Sequence, residues 1–448
     1  MAWGLFYTEI IVIFVLMKRI WSIVFAFTLS FCALAQENNL SIDADFLTRG
    51  EIRSGGLPVS KEEGAINKDF ASFILERTLI GLNYDRKNFS SKVMAQHSGT
   101  WGSSEGGSFN VYEAWVQMSS DKGFFAKVGR QNLSYDDQRI FGADDWAMTA
   151  RSHDVLKAGY EGHNQKIHLF AAFNQNTANI NGGTYYSGGV QPYKAMEALW
   201  YHYDIPKTKI GMSLLFMNAA MQGGEKDEPN EKTYQQQLMG GFLSYRPKKL
   251  NAEAAYYHQM GKSEGGIPID AWMMSYKATY SPSVQWSFTS GYDYLSGDAD
   301  FATPYNGQIG MIQHKTIKGF SSLYGSHHKF YGAMDFFYVT TYVSGFTPGL
   351  QNLYAGLSFK PVEKVSLDAM YHYLATATKL RNADKPLGHE VELSASYKFM
   401  KEAKLSIGYS YMRGTETMVI LKKTSENRQL RWGWIMLTVS PKFFYGKW

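Results

Sequence analysis

Short stretches of this chain alternate apolar and polar side chains with a period of two. They recur from about residue 38 to the end, separated by connections that are in turn very short and long. From 404 to 412, Leu405, Ile407, Tyr409 and Tyr411 fall on one side and Lys404, Ser406, Gly408, Ser410 and Met412 on the other. Val391, Leu393, Ala395 and Tyr397 likewise oppose Glu390, Glu392, Ser394, Ser396 and Lys398. Val365, Leu367, Ala369, Tyr371 and Tyr373 alternate with Ser366, Asp368, Met370 and His372; Leu40, Ile42, Ala44 and Phe46 alternate with Ser41, Asp43 and Asp45. Such a period is a strand whose two faces meet different surroundings.

Repeated along one chain, these strands predict an all-β fold: a transmembrane antiparallel barrel of the bacterial outer-membrane type, with an apolar row on lipid and a polar row on a wet lumen. Hydrophobic residues are 45% and mean hydropathy is −0.29. A helical membrane protein is thereby excluded, because each helical span needs about 20 apolar residues in succession. The 30 Tyr, 28 Phe and 11 Trp fit two rings of amphipathic aromatics at the membrane interfaces. An aromatic-rich soluble sandwich is the alternative. No linker or composition shift divides the 448 residues, so a single barrel is expected over 36–448.

The N-terminus reads as a secretion signal over 17–35. Lys18 and Arg19 form its basic start, 20–32 its apolar centre, and Ala33, Leu34 and Ala35 a small-residue cleavage site. Residues 1–16 are then an upstream extension. A membrane anchor over 10–31 would hold Lys18 and Arg19 in its middle, which is costly. Cleavage after Ala35 removes Cys32, the single cysteine, and leaves no thiol for a disulfide, a metal or a nucleophile. It also removes Lys18, Arg19 and Glu9, lowering the formal charge of +5 by one. So mild a balance points to no nucleic-acid partner.

Connection lengths predict the topology. Tight turns are expected at 85–88, 120–122, 162–165, 206–208, 247–249, 281–283, 361–364 and 400–403. Longer loops are expected at 54–68, 99–107, 134–151, 175–191, 219–232, 261–267, 296–349, 376–388 and 414–428. Short periplasmic turns and long outer loops give about 18 strands, with both ends in the periplasm. The last stretch, 429–440, alternates again, and Trp448 is a terminal aromatic of the kind read by the barrel-assembly machinery. Pro441 has no N–H for the ladder and is expected at that strand's end. Beyond this machinery, the expected partners are membrane lipid and lipopolysaccharide.

A barrel of this size is too wide for its wall side chains to fill, so its lumen is a channel unless loops close it. Parity places Arg49, Lys92, Lys127, Arg151, Lys157, Lys166, Lys398 and Lys404 on the lumen side, with Arg53, Arg130 and Arg139 nearer the outer rim. Asp43, Asp45, Glu113, Glu253, Asp293, Asp368, Glu390 and Glu392 are acidic lumen candidates. These residues either select ions or pair across strands as a solvated wall. Glu76 and Arg77 are adjacent, so both reach water only near a rim.

Two segments are too specific for a generic barrel: GRQNLSYDDQRIFGADDWAMTARSHDVLKAGY over 129–160, and LYGSHHKFYGAMDFFYV over 323–339 followed by GFTPGLQNLY over 345–354. On these motifs the chain resembles the alginate export family of outer-membrane proteins. The resemblance implies an 18-stranded barrel with an electropositive lumen for a uronate polymer, and passage of an anionic or neutral polysaccharide. It implies polymer-facing roles for Arg130, Arg139 and Arg151, since a guanidinium offers a planar fork to a carboxylate. The competing reading pairs these arginines with Asp136, Asp137, Asp144 and Asp145 to hold a loop folded into the barrel mouth. The same four carboxylates are candidate Ca²⁺ ligands at the cell surface, without EF-hand spacing; no other cofactor is expected.

No enzyme is expected. His97, His153, His168, His258 and His372 are scattered, and no catalytic motif marks any of them. A substrate-selective or general diffusion porin is the alternative to a polysaccharide channel, and a plugged structural or adhesion barrel a distant third. Loop 296–349, which carries His327, His328 and Lys329, is long enough to be functional. Its segment 331–341 is apolar enough to form a short strand or fold inward, and this loop and 134–151 are expected to constrict the lumen.

Overall fold

The alternating stretches form strands, and each bonds antiparallel to the next until the sheet closes on itself. A computed structural model describes residues 37–54, 70–178, 180, 182–189, 191–298, 315–337, 347–380, 383–422 and 428–448. The expected signal, with Cys32 and the upstream extension, lies outside them, as do most of loop 54–68 and residues 338–341. The first strands are β1 (Asn39–Ser54), β2 (Ala71–Arg86), β3 (Phe89–Thr100), β4 (Ser108–Ser119), β5 (Phe124–Gln131) and β6 (His153–Gly162). There follow β7 (Gln165–Phe173), β8 (Ala195–Ile205), β9 (Ile210–Gly223), β10 (Lys232–Tyr245), β11 (Leu250–Lys262), β12 (Pro268–Tyr280) and β13 (Trp286–Leu295). The series ends with β14 (Leu350–Val362), β15 (Val365–Ala375), β16 (Pro386–Tyr397), β17 (Ala403–Gly414), β18 (Gln429–Val439) and β19 (Lys442–Lys447). A short helix, α1 (Glu416–Lys422), sits between β17 and β18. The expected tight turns and long loops lie at the junctions of the strands they were expected to join, except that β9 continues to Gly223, into the loop expected from 219.

Closure is made by β1, which pairs with β2 on one side and with both β18 and β19 on the other. The last two strands are one stave broken at Pro441. Lacking an N–H, Pro441 instead accepts the Ala44 N–H at its carbonyl (3.0 Å), and the register slips between Ile42 and Asp43. Pairing then resumes, so Pro441 interrupts the stave rather than ending it. Asn38 and Trp448 exchange backbone hydrogen bonds of 2.8 and 3.1 Å, tying the described ends together. The barrel has 18 antiparallel staves.

In β17 the parity is as read: Leu405, Ile407 and Tyr409 are exposed on the outer face, while Ser406, Ser410 and Met412 are buried on the inner one. From β8 to β12 the expected polar inner row is thinned to a few residues, among them Ser213, Ser244, Gln259 and Ser275. Met196, Leu215, Met217, Leu238, Phe242, Tyr257 and Met273 are buried on the inner face, although Leu199, Leu214, Phe216, Met239 and Leu243 already fill the outer one. The cause is the two long loops. Leu133, Tyr135, Ile140 and Phe141 from one, and Phe320, Tyr324, Tyr331, Phe336 and Phe337 from the other, pack against that wall. The main hydrophobic core therefore lies inside the barrel. Burial of each such side chain stabilises it by about 1.5–3 kcal/mol. Segment 331–337 folds inward without forming a strand.

Glu76 and Arg77 part company as adjacent strand residues must. Arg77 is buried on the lumen side, 3.5 Å from Asp45, whereas Glu76 accepts the Trp101 indole N–H (2.9 Å) at the outer end of β2.

Candidate functional site

The two inward loops, 132–152 and 296–349, are joined along a seam. Phe141 and Tyr324 form a parallel bridge, the Tyr324 N–H donates to the Ile140 carbonyl (3.1 Å) and the Gly142 N–H to that of Tyr324 (2.9 Å). The Ser326 hydroxyl accepts the Asp144 N–H (2.9 Å) and donates to Gln138 Oε1 (3.1 Å). Asp136, Gln138 and Asp144 have φ of 52°, 71° and 55°, the left-handed turns that fold the first loop tightly.

Side chains then pin this plug to the wall on several sides. Asp136 accepts from the Trp200 indole (3.1 Å) and the Ser213 hydroxyl (2.6 Å), on β8 and β9. Arg139 lies between Asp137 and Asp293, at 2.9 Å from each, with its guanidinium over the Phe330 ring. Arg49 donates to Glu51 (2.8 Å) and to the Trp146 carbonyl (3.0 Å), and stacks on that indole at 4.1 Å. Arg77 donates to the carbonyls of Asp145 (2.8 Å) and Ala147 (3.0 Å). On β16, Glu390 and Glu392 accept the N–H groups of Met334 (2.9 Å) and Ala333 (2.6 Å), capping a turn of the second loop. The plug thus spans the lumen from β1 to β9 and from there to β16.

The basic candidates divide accordingly. Arg139 is almost wholly buried and Arg151 ties the loops together, donating to the Gly325 carbonyl (2.8 Å) and lying 3.7 Å from Asp144. Arg49 belongs to the same scaffold. Arg130 corrects the expectation outright: it shares the parity of the exposed Val128, so it lies on the outer face, where it forks onto Asp154 at 2.7 and 2.8 Å. His328 stacks on Trp146 at 4.0 Å and its Nδ1 lies 2.8 Å from Asp335. Lys329 donates to Gln138 Oε1 (2.7 Å). Burial, with Arg151 nearby, pushes the His327 imidazole down to about 4. Asp136, Asp137 and Asp144 each have a different partner, and among the described residues no three His, Cys, Asp or Glu side chains are grouped to hold a metal.

Lys127 and Lys157 are not ion-paired into this scaffold, although Lys157 lies 6.0 Å from the ring of Tyr135 in the inward loop. They face each other directly across the β5–β6 ladder on the inner wall, with Lys127 over the Trp115 ring at 3.5 Å. Lys92 lies on the same wall but is ion-paired to Glu113. Among the described residues Lys127 and Lys157 have no such carboxylate partner. Nearly opposite, Asp368 and Glu392 face the lumen from β15 and β16. The sequence reading missed Trp146, Trp432 and Trp434, which cluster with His328 inside the barrel. A tryptophan in an alternating strand reads equally well as an interface aromatic, so no local signal separates the two.

Several solved barrels share this architecture. OccK2 (OpdF) of Pseudomonas aeruginosa superposes with a TM-score of 0.60 at 10% identity, over 91% of this chain and 98% of that one. OccK9 (OpdG) of the same organism gives 0.58 at 11% identity, over 90% and 98%. OccAB1 of Acinetobacter baumannii gives 0.57 at 13%, over 90% and 97%. At such identities the likeness concerns the fold. No curated protein matches the chain. Residues 94–419, which contain the inward loop of Arg139 and the second loop joined to it, match the model described as alginate export. The chain belongs to that family and is an outer-membrane channel for solutes rather than an enzyme.

Proposed function

We propose that this channel passes an anionic saccharide, and that Lys127 and Lys157 attract its carboxylates on the inner wall. The observation that carries this reading is their placement: two amines opposed across one ladder, facing the lumen, with no ion pair to neutralise them among the described residues. Two like charges so placed are destabilising unless an anion visits them. Arg130, Arg139, Arg151 and Arg49 do not carry the role, since each is occupied by a protein partner. The interlocked loops favour a selective path over a general diffusion porin, because they take up much of the section through which a large solute would pass.

The test is planar-bilayer recording of the refolded mature chain, with reversal potential in a salt gradient and oligouronates as blockers. Anion preference with concentration-dependent block is expected, and Lys127→Gln with Lys157→Gln should weaken that block about tenfold, as the loss of roughly 1.4 kcal/mol implies. Block that is absent, or identical in the double variant, would overturn the reading.

A further inference from the structure

Beneath the turn capped by Glu390 and Glu392, the lumen contains a cavity of about 300 Å³. Its wall includes Asp368, Glu392, Ser358, Ser394 and Trp434, and His328 from the second loop closes it above. It lies away from the lysine pair. In a ring of 18 staves, β15 and β16 stand almost diametrically across from β5 and β6. The levels match: Lys127 and Asp368 are each the fourth residue of a strand that starts at a periplasmic turn.

The chemistry of the cavity is the reverse of the lysine wall. Among the described residues Asp368 accepts only from wall hydroxyls, Ser358 (2.5 Å) and Ser366 (2.8 Å), which solvate its charge with no cation paired to it. Glu392 has His372 Nε2 at 3.2 Å and the Ala333 N–H on the same oxygen, Oε1. A carboxylate pair offers about eight acceptor positions, more than these contacts use. Trp434 adds an aromatic face. Its ring lies against Gly408, directly across the ladder, where a Cβ would run into it. An indole face and carboxylates together attract a cationic amine, by cation–π contact and by charge, and the serines offer partners to hydroxyl groups. A uronate would be repelled.

We infer that this cavity is a binding site for an amine-bearing sugar unit, so that the permeant saccharide carries amino groups as well as carboxylates. The inference rests on the saccharide reading above and refines its substrate class. The two walls then act as a pair: carboxylates of the solute are drawn to Lys127 and Lys157, and ammonium groups to Asp368 and Glu392.

Glucosamine oligomers with free amines, and the same oligomers N-acetylated, serve as probes in single-channel recordings. The free-amine form should block the channel at least tenfold more strongly than the acetylated form. Asp368→Asn, which removes the charge without touching the plug, should abolish that preference, and so should Ser394→Lys, which places a cation in the cavity. Lys127→Gln with Lys157→Gln should leave it intact. Equal block by both oligomers, or a preference that survives Asp368→Asn and Ser394→Lys, would overturn the inference. If oligouronates still block while glucosamine oligomers do not, only this inference fails; if neither blocks, the saccharide reading fails with it.

Discussion

Arg139 and Asp293 stand 2.9 Å apart, and with that contact a loop held inside the barrel is locked to stave β13. Both side chains are almost wholly buried, at 3% and 1% exposure. Removing one partner of such a pair leaves a charge without compensation and costs about 3–5 kcal/mol, whereas removing both costs less. Arg139→Met should therefore loosen the plug, lower the melting temperature and raise single-channel conductance. Arg139→Met combined with Asp293→Asn should be milder than the sum of the two single changes. Additive effects in a double-mutant cycle would show that the contact holds nothing in place.

The barrel itself was legible because its signal is repeated and physical. Where lipid and water lie on opposite faces, as in β17, the period of two survives in the residues. It fades from β8 to β12, where Leu215 and Met217 pack inward on the plug while Leu214 and Phe216 meet lipid, so both faces are largely apolar. Connection lengths still gave those strands. The site was less legible for the same reason. Arg139 and Arg151 stand in a loop, where the parity applied to Arg151 carries no direction, and their partners Asp293 and Gly325 lie more than a hundred residues away in sequence. Arg130 sits on a strand, and its odd spacing from Lys127 was the available clue that the two face opposite ways.

The seam between the loops offers a second prediction. Ser326 satisfies Asp144 and Gln138 together, and the adjoining Gly325 carbonyl accepts from Arg151. Deleting 321–329 removes this edge, the Tyr324 bridge and the His328 stack on Trp146. Conductance should increase and its noise should rise, since the first loop loses the neighbour that holds it. An unchanged conductance in bilayers would mean that the second loop does not narrow the path.

Arg130 predicts the opposite of a pore residue. Its fork onto Asp154 lies on the outer wall and is partly exposed, so it contributes about 0–1 kcal/mol. Arg130→Ala should leave ion selectivity and oligouronate block as they are. A shift in reversal potential comparable to that of the lysine variants would place Arg130 on the solute path after all.

Gly332 is a fixed point of the capped turn. Its φ is +95°, a region that L side chains rarely adopt, and a Cβ there would run into the Glu390 carboxylate. Gly332→Ala should unseat Ala333 and Met334 from their caps on Glu390 and Glu392. The expected readout is a rise in open-channel current with little change in the thermal stability of the barrel, whose ladder does not depend on this turn. Unaltered current would show that the turn tolerates the change.

Acid should open the plug through His327. Burial, reinforced by Arg151, holds this imidazole at about 4 when the loops are seated, against about 6.5 for an exposed histidine. The seated form therefore resists protonation and the opened form accepts it. Above about pH 6.5 both are neutral and the plug keeps its full stability; as the pH falls toward 4 the opened form gains a proton, and the seated form loses up to roughly 3 kcal/mol. Asp144 opposes this, because burial raises its carboxyl, and a group raised in the seated form favours that form at low pH. The comparison of wild type with His327→Gln separates the two. Conductance of the wild type should rise as pH falls from 6.5 to 4, and the His327→Gln variant should lack that rise. Identical curves would mean that another group governs whatever acid does to the loops.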